Sequence, residues 1–234
     1  MARVRRVVTT RAGGSSAPPY DTFNLSLASD DDPVAVSSNR ARLAESIGLP
    51  PDRLVWMRQV HGATVHVVDG PSGSDLPTGD ALVTTQRGLA LVALAADCVP
   101  VLMADPIAGV VAATHAGRPG AAAGVALATV KAMVGLGADR SRIDVLLGPA
   151  VCGSCYEVPS AMRDDVDAVL PGSATLTRRG TPGLDLRAGL TRQLKATGVG
   201  TVVVDPACTI EDPRFYSYRR DGVTGRFAGV AWLE

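Results

Sequence analysis

The sequence predicts one domain of the α+β (mixed α/β) class, and three observations lead to this prediction. The 234 residues suit a single domain, and no Pro/Gly/Ser-rich linker divides them. Residues 89–120 contain runs of Val, Leu and Ala that are too short to cross a membrane and are typical of buried strands. Segments of helical composition alternate with such runs. We therefore expect residues 1–234 to form a single domain.

The first third of the chain alternates loop signals with short apolar segments. Residues 3–10 alternate in polarity as a strand does, and the Gly, Ser and Pro residues that follow predict a loop. Asp30 to Pro33 form a helix-start signal, and residues 34–47 have an apolar and a polar face. We predict an amphipathic helix there, ended by Gly48. Strands are predicted next, at 54–60, 64–69 and 79–84.

The remaining elements follow the apolar runs of residues 89–120. Pro119 suits the first position of a helix, and the composition of the next residues predicts a helix over 121–136. Residues 171–183 are rich in Gly, Ser and Thr and nearly devoid of large apolar side chains, so we predict a flexible loop. The other predicted elements are strands at 143–147, 201–204 and 227–233 and helices at 160–170 and 186–197.

The charge balance restricts the class of ligand. Lys plus Arg and Asp plus Glu number 23 each, so the formal net charge is zero and no basic field for nucleic acid is expected. A small ligand that is complemented locally fits this composition better. The basic start of the chain lacks the apolar core of a signal peptide, and no later stretch reaches the length of a membrane span. We therefore expect a cytoplasmic protein with no membrane partner, and a monomer by default.

Four cysteines occur, at positions 98, 152, 155 and 208. A chain of this length buries enough core without disulfides, and the cytosol keeps thiols reduced, so metal binding or catalysis is favoured over cross-linking. Cys152 and Cys155 form a Cys-x-x-Cys element. The sequence has no second such element, and the nearest histidine lies far away in the chain, which disfavours a zinc or redox role for this pair.

Three residues are the candidates for chemistry: His61, Cys98 and His115. Cys98 and His115 fall at or near the ends of predicted buried strands, and His61 stands beside Gly62, which allows close approach. His66 lies five strand positions from His61 and faces the opposite side, so we assign it a structural role. Two imidazoles and one thiolate from separate segments are typical of catalytic zinc, whose fourth position stays open to water.

Two other chemistries fit the same residues. Cys98 with His115 is also the combination of a nucleophile and its base, in which Asp97 is either an orienting carboxylate or a turn residue. Two histidines and one cysteine are, in addition, the equatorial ligands of blue copper sites. The residue types alone leave all three interpretations open.

The chain also carries a set of short motifs that are specific in combination. They are TTRAGG (9–14), NLS (24–26), NR (39–40), QVHG (59–62), DALVT (80–84), ADCVPVL (96–102), HAG (115–117), GPAV (148–151), CYEV (155–158), CT (208–209) and SYRRDGVTGR (217–226). Together they resemble the YfiH-like family, also called the polyphenol oxidase or laccase-domain family. The resemblance covers essentially the whole chain. It implies a single-domain layered sandwich of the YfiH-like type, related to cytotoxic necrotizing factor, with one catalytic domain over residues 1–234.

The resemblance implies residue roles as well as a fold. His61, Cys98 and His115 would be the metal and catalytic residues, and the substrate-binding residues would be Arg11, Asn24 and Arg40. Family members are described as purine nucleoside phosphorylases that act on adenosine, inosine and methylthioadenosine, with adenosine deaminase activity. The implied partners are therefore a purine nucleoside and phosphate. The family alternatives are a cysteine-type hydrolase or amidase that edits peptidoglycan precursors, and a copper-dependent polyphenol oxidase, or laccase.

The histidine count separates zinc from copper. The chain has only three histidines, whereas a multicopper oxidase needs many imidazoles for its trinuclear cluster and its electron-transfer copper. We therefore expect Zn²⁺ as the cofactor, with copper bound only adventitiously in vitro because it has the higher affinity for nitrogen and sulfur ligands.

One departure from the family pattern bears on the substrate. The family usually has HAGWRG, and this chain has HAGRPG at 115–120, so that Arg118 replaces Trp and Pro119 replaces Arg. Substrate preference inferred from relatives is weakened by this change. We expect phosphate to bind near the start of the helix after His115, with Arg118 as the principal cationic contact. Arg11, Arg40 and the Arg219-Arg220 turn are further candidates, and an Arg118 that points to solvent is the alternative.

Overall fold

The computed structural model describes residues 2–71 and 75–234, which form twelve strands and six α-helices. The strands are β1 (Val4–Val8), β2 (Leu54–Val55), β3 (Val65–Val67), β4 (Ala81–Thr84), β5 (Ala90–Ala95), β6 (Val99–Asp105), β7 (Val110–Ala116), β8 (Asp144–Leu147), β9 (Ala174–Leu176), β10 (Pro182–Leu184), β11 (Thr201–Val204) and β12 (Phe227–Leu233). The helices are α1 (Pro33–Ser46), α2 (Arg118–Ala122), α3 (Val125–Gly135), α4 (Ser160–Val169), α5 (Leu186–Ala196) and α6 (Tyr218–Asp221).

Two sheets form the centre of the molecule. The smaller sheet has the strand order β1-β12-β5-β2, and the larger sheet has the order β11-β8-β6-β7-β4-β3. The larger sheet is antiparallel at its centre and parallel at its two edges, where β11 pairs with β8 and β3 with β4. Apolar side chains from both sheets, such as Leu91 and Leu102, meet in one buried cluster, so the sheets pack face to face.

Helices cover the outer faces of both sheets. Leu43 of α1 packs with Val92 and Val230 on the smaller sheet. Val130 of α3 and Leu190 of α5 pack on the larger sheet. The result is a four-layer sandwich in the order helix, sheet, sheet, helices. The predicted α+β layered sandwich is confirmed, and among the described residues no helix is both long and apolar enough to cross a membrane.

This layering explains why the central strands have continuous apolar sequences. All seven residues of β6 and all seven of β7 are buried. In β7, Val110 and Ala112 face the helical layer, and Val111 and Ala113 face the smaller sheet. Both faces of the strand are dry, so the sequence shows no alternation between polar and apolar residues.

The predicted flexible loop over residues 171–183 was wrong, because this segment contains the hairpin of β9 and β10. The hairpin is held by backbone contacts that its composition does not reveal. Val158 donates its backbone N–H to the Pro182 carbonyl at 3.0 Å, and Leu184 donates to the Tyr156 carbonyl at 3.1 Å. Apolar side chains are scarce because backbone pairing with residues 156–158 replaces side-chain packing.

Two other predicted elements differ from the observed ones. The helix predicted over 121–136 is divided into α2 and α3 by Gly124, whose φ of 79° interrupts the helix. The strand predicted over 54–60 is reduced to the two residues of β2. The chain after β2 leaves the sheet and follows an irregular path through the QVHG motif, which has consequences for the site.

Candidate active site

Three segments meet at one end of the two sheets, and each carries one of the predicted metal and catalytic residues. Cys98 lies in the tight connection between β5 of the smaller sheet and β6 of the larger sheet. His115 is near the end of β7, opposite Pro100 of β6. His61 lies in the irregular segment after β2, with a left-handed φ of 59°. Because His61 is outside any strand, the parity argument that separated it from His66 does not apply.

The structure brings the three side chains together. One ring nitrogen of each histidine and the sulfur of Cys98 lie within 4.8 Å of one another. Cys98 Sγ is 3.9 Å from His61 Nε2, and the two imidazole rings are 4.7 Å apart, nearly perpendicular. His115 is buried and His61 is exposed, so the cluster has a closed inner side and an open outer side. His66 instead bonds to the Thr78 carbonyl at 3.0 Å through Nε2.

A buried carboxylate, Asp80, holds both histidines in place. It immediately precedes β4 and is 0% exposed. Its Oδ1 accepts a hydrogen bond from His115 Nδ1 at 2.8 Å and from the backbone N–H of His61 at 2.9 Å. Its Oδ2 accepts the Gly62 N–H at 2.7 Å. Nε2 is therefore the His115 nitrogen available for a metal or for proton transfer.

Sequence reasoning missed the role of Asp80. The residue was assigned only to the start of a strand, although a lone carboxylate at the beginning of a buried apolar strand is itself a signal. A carboxylate in such a position needs partners, because burying an unpaired charge is costly. Its partners here are the two segments that bear the histidines.

Gly117 leaves the space in which the three side chains meet. A Cβ at this position would lie 2.6 Å from His61 Cδ2, 3.1 Å from Cys98 Sγ and 3.4 Å from His115 Cε1. Any side chain larger than hydrogen would therefore displace the cluster. The glycine of the HAG motif is explained by this contact and not by backbone conformation, because its φ is −73°.

The electrostatics of the cluster favour a charged pair. Burial alone would raise the pKa of Cys98, but the charge of His115 and hydrogen bonds with His115 and His61 lower it to about 6. Burial alone would lower the pKa of His115, but the Cys98 charge and the hydrogen bond to Asp80 raise it to about 9. At neutral pH the metal-free cluster thus holds a thiolate beside an imidazolium.

Asp97 shapes the turn that presents the thiol. Its φ is 89°, a left-handed conformation that is costly for a residue with a side chain. Thr209 Oγ1 donates to Asp97 Oδ1 at 2.6 Å, the Arg219 N–H donates to Oδ2 at 2.7 Å, and the Val151 N–H donates to its carbonyl at 3.0 Å. Of the two roles predicted for Asp97, the structure supports the turn residue. The carboxylate that orients the imidazole is Asp80.

The cluster opens into a cavity of about 670 Å³. This volume suits a small organic ligand. Gln59 fixes one wall by exchanging two hydrogen bonds with the backbone of Leu94, at 2.8 and 2.9 Å, which also ties the QVHG segment to β5. The wall is part apolar, through Met57 and Leu186, and part aromatic, through Tyr156.

Several arginines line the cavity. Two of the predicted substrate-binding residues, Arg40 and Arg118, are among them. The Arg40 guanidinium lies 3.7 Å from the centre of the Trp56 ring, and burial lowers its pKa to about 10. The charge of Arg118, together with that of Arg219, opposes the rise that burial causes in the pKa of Tyr156. Arg118 is therefore close to the cavity wall and does not point only to solvent.

The other two predicted substrate-binding residues have internal partners. Arg11 pairs with Asp21 at 3.1 Å and stacks on Tyr216, outside the cavity lining. Asn24 is 0% exposed, and its amide nitrogen donates to Ser29 at 2.8 Å. Both residues organise the loop that forms part of the cavity rim. The motifs that contain Arg11 and Asn24 therefore identified a segment beside the cavity, but neither side chain lines the cavity itself.

Three further arginines line the cavity, Arg58, Arg219 and Arg226. Arg219 belongs to the turn that the sequence named as a further candidate for the phosphate contact, and it lies 4.9 Å over the Tyr156 ring. Sequence reasoning missed the other two. Arg226 ends the SYRRDGVTGR motif, and burial lowers its pKa. Arg58 carries no sequence signal that distinguishes it from an ordinary surface arginine.

The donor set fits a bound metal ion. Two imidazoles and one thiolate are ligands that zinc accepts, and the exposed side near His61 leaves a fourth position for water or substrate. A histidine whose second nitrogen bonds to a buried carboxylate is the usual arrangement of a metal ligand. His61, Cys98 and His115 are thus the residues that could hold the ion.

The fold and the site define a class: layered α+β domains with an open two-histidine, one-cysteine cluster at the base of a cavity. Comparison with known proteins agrees with this class. The model of the family described as multi-copper polyphenol oxidoreductase laccase matches residues 5–234. The chain belongs to this family, the YfiH-like laccase-domain proteins.

Relatives and solved structures extend the comparison. A purine nucleoside phosphorylase of Mycobacterium tuberculosis is 58% identical over 232 residues, which cover 99% of this chain and 93% of the relative. One from Corynebacterium glutamicum is 57% identical and covers 98% and 94%. The crystal structure of YlmD from Geobacillus stearothermophilus has a TM-score of 0.93 and 33% identity, covering 99% and 92%. The Bacillus licheniformis hypothetical protein YfiH has a TM-score of 0.90 and 30% identity, covering 99% and 93%.

Proposed function

We propose that this protein is a zinc-dependent purine nucleoside phosphorylase. The observation that carries the proposal is the convergence of His61, Cys98 and His115 at an arginine-lined cavity. The relatives named purine nucleoside phosphorylase support the same reaction class. We infer adenosine, inosine and methylthioadenosine as substrates, with deamination of adenosine as a side activity.

The cavity offers suitable surfaces for both proposed substrates, phosphate and the purine nucleoside. Phosphate is an anion, and arginines bind it with charge-assisted, bidentate hydrogen bonds. Arg118 and Arg219 lie on the wall nearest to Tyr156, so this wall is the proposed phosphate side. A purine is planar and apolar on its faces, which suits the apolar and aromatic surface of the same cavity.

The chemistry divides between the metal and the chain. When bound, zinc would supply a Lewis acid and would lower the pKa of a coordinated water. In phosphorolysis an oxygen of phosphate bonds to the anomeric carbon, the bond to the purine nitrogen breaks, and the base leaves with a proton. Asp80 keeps His115 in one orientation throughout, because a full negative charge accepts from its Nδ1. Deamination would replace the amino group of adenosine with water's oxygen and release ammonia.

The test is incubation of the purified protein with adenosine and phosphate. We expect phosphate-dependent release of adenine with formation of ribose 1-phosphate in equal amount, measured by chromatography. In the same assay inosine should release hypoxanthine with ribose 1-phosphate, and methylthioadenosine should release adenine with methylthioribose 1-phosphate. The Cys98→Ser and His61→Ala variants should be inactive, and Arg163→Ala, on the exposed outer helix α4, is the matched active control. Base release that does not require phosphate would exclude phosphorolysis.

Metal content tests the zinc part of the proposal separately. The chain has three histidines, and His66 bonds to the Thr78 carbonyl, which leaves two for the site. A multicopper centre needs more imidazoles than that. Elemental analysis of protein purified without added metal should therefore give zinc and no stoichiometric copper. Stoichiometric copper in place of zinc would contradict this expectation and favour the laccase chemistry.

A second candidate function rests on a different observation. Cys98, His115 and Asp80 form a thiol, imidazole and carboxylate series, which is the arrangement of a cysteine hydrolase. The substrates of such an enzyme would be peptide-like, for example peptidoglycan precursors. Incubation with UDP-muramoyl peptides before and after chelation separates the two functions. Peptide cleavage that survives metal removal, without nucleoside turnover, would establish the hydrolase and overturn the phosphorylase.

A further inference from the structure

A second group of ligand-type side chains lies behind the turn that carries Cys98. Cys152, Cys155, Cys208 and Glu211 each place one donor atom within 4.8 Å of the others. We call these four residues the three-thiol cluster. All three cysteines are free. The sequence disfavoured a metal role for the Cys-x-x-Cys pair because it has no second such element and the nearest histidine is far away in the chain. The fold supplies a third thiol, Cys208, from 56 residues beyond Cys152.

Backbone hydrogen bonds hold the three-thiol cluster in position. The Cys155 N–H donates to the Cys152 carbonyl at 3.0 Å, which closes the turn between the first two thiols. The Glu211 N–H donates to the Cys208 carbonyl at 3.1 Å, which closes a similar turn in the second segment. The Cys152 N–H points at Cys208 Sγ, 3.4 Å away. Such a donor stabilises negative charge on sulfur, and sulfur binds metals as the thiolate.

The three-thiol cluster brings four acidic donors together with too little positive charge nearby to ionise them all. Four acidic donors crowd into one site, and Arg178 contacts it from the solvent side, bonding to Glu211 and lying 3.4 Å from Cys155 Sγ. A single guanidinium offsets one negative charge. A divalent ion would allow all three thiols to ionise, and the guanidinium would then reduce the remaining negative charge on the shell.

We propose that Cys152, Cys155, Cys208 and Glu211 bind a structural zinc ion, separate from the His61–Cys98–His115 site. Three sulfurs and one carboxylate oxygen complete a four-coordinate shell, and closed shells are typical of structural zinc. Thiolate ligands select zinc over magnesium and calcium, which prefer oxygen. The site is thiolate-rich and closed, whereas the first cluster is imidazole-rich and open.

The proposed ion would act on the first cluster through its neighbours in sequence. Val151, next to Cys152, donates to the Asp97 carbonyl at 3.0 Å, and Thr209, next to Cys208, donates to the Asp97 carboxylate at 2.6 Å. Both segments therefore hydrogen-bond to Asp97, the residue with the left-handed backbone conformation that precedes Cys98. Zinc would join these segments at a second point and restrain the turn.

The experiment removes two ligands of the His61–Cys98–His115 cluster and measures whether zinc still binds to the protein. The protein is purified without added metal, and zinc is measured per chain in wild type, in Cys98→Ser/His115→Ala, and in the same variant with Cys155→Ser. We expect the first variant to keep a stoichiometric zinc and the triple variant to lose it. Cobalt(II) in place of zinc adds a second readout, because thiolate-to-cobalt charge-transfer absorption should appear in the first variant and disappear in the triple variant.

Matched variants separate ligand loss from unfolding. Glu211 is exposed, so Glu211→Gln should fold normally and weaken zinc binding by roughly tenfold or more. Asp164→Asn removes another exposed carboxylate, which is paired with Arg163, and it should change nothing. Ser154→Ala, inside the Cys-x-x-Cys turn, should also keep its zinc.

Three results would overturn the proposal. The first is the absence of stoichiometric zinc from Cys98→Ser/His115→Ala while all remaining thiols react as free thiols. The second is a disulfide between two of the three cysteines in place of zinc, seen by mass under non-reducing conditions. The third is zinc that persists when Cys155→Ser is added to Cys98→Ser/His115→Ala, or that binds with undiminished affinity when Glu211→Gln is added to it.

Discussion

Asp80 and His115 are tied together twice. The carboxylate accepts from His115 Nδ1 at 2.8 Å, and the backbone carbonyl of Asp80 accepts the His115 N–H at 2.7 Å. The pairing of β4 with β7 makes the second contact possible, since Ala81 lies opposite Thr114. The same carboxylate accepts three backbone N–H groups from the QVHG segment. One buried charge therefore sets the position of both imidazoles.

We expect Asp80→Asn to weaken zinc binding by roughly ten- to a hundredfold, because the carboxylate partner of a metal-ligating histidine contributes about this much. The amide nitrogen would also face N–H donors, leaving buried groups unpaired at a cost of about 1–3 kcal/mol. Zinc affinity is measured by chelator competition and stability by urea unfolding. The matched control is Asp105→Asn, another 0% exposed carboxylate, which should lose stability but keep its zinc affinity. Equal zinc affinities in the two variants would contradict the role of Asp80.

Gly117→Ala should abolish metal binding by the His61–Cys98–His115 cluster without unfolding the protein. The added methyl would lie 2.6 Å from His61 Cδ2, and His61 is on a solvent-exposed segment that can move aside. Displacement of one ligand opens the cluster while the core stays intact. Zinc content and the urea midpoint are measured together. Gly135→Ala, in a helix with nothing within 4 Å of the new methyl, should match or exceed wild type in both. Normal zinc in Gly117→Ala would show that the cluster is not the metal site.

Arg118→Ala should raise the Michaelis constant for phosphate by on the order of ten- to a hundredfold, because a charge-assisted hydrogen bond contributes about 1.5–3 kcal/mol. Zinc content should stay at the wild-type level. Arg118 is the first residue of α2, and because this helix has only five residues, the guanidinium rather than the helix dipole should supply most of the attraction. Arg118→Lys should recover part of the affinity, as it keeps the charge and loses the bidentate geometry. Unchanged phosphate kinetics in Arg118→Ala would place the anion on the other arginines.

The alkylation rate of Cys98 in metal-free protein should change with pH in a lower range than the rate of an ordinary thiol does. The thiolate is the reactive form, and its fraction rises with pH through the pKa, which His115 lowers to about 6 from the ordinary 9.0. The rate should therefore rise near pH 6 and be flat above neutral pH. Cys155 is an internal control, because burial and the neighbouring thiols raise its pKa to about 12. In His115→Ala the Cys98 transition should move upward, and a transition that stays near 6 would show that His115 is not the cause.

The sequence was informative wherever a local pattern has a single structural outcome. Long apolar runs without alternation predicted strands buried on both faces, and β6 and β7 are such strands. The acidic start before Pro33 predicted a helix, and Asp32 does cap it, accepting the Val34 N–H at 2.9 Å. Motifs predicted the residues of the candidate site, and the structure brings His61, Cys98 and His115 together.

The sequence was uninformative where backbone contacts between distant segments decide the outcome. Residues 171–183 have the composition of a loop but form a hairpin, because they pair with the backbone of residues 156–158. The path of His61 out of β2 depends on hydrogen bonds to Asp80. Neither contact leaves a periodic signature in the chain.

What the sequence determined by itself was the class of fold, the main strands and helices and the ligand types, because periodicity, capping and motif chemistry are local properties. Only the tertiary structure decided that Asp80 orients His115, that Arg11 and Asn24 support the rim rather than line the cavity, and that Cys208 joins Cys152 and Cys155. These are meetings of residues far apart in the chain. Their geometry is fixed by the packing of two sheets against each other, and no short stretch of sequence contains that information.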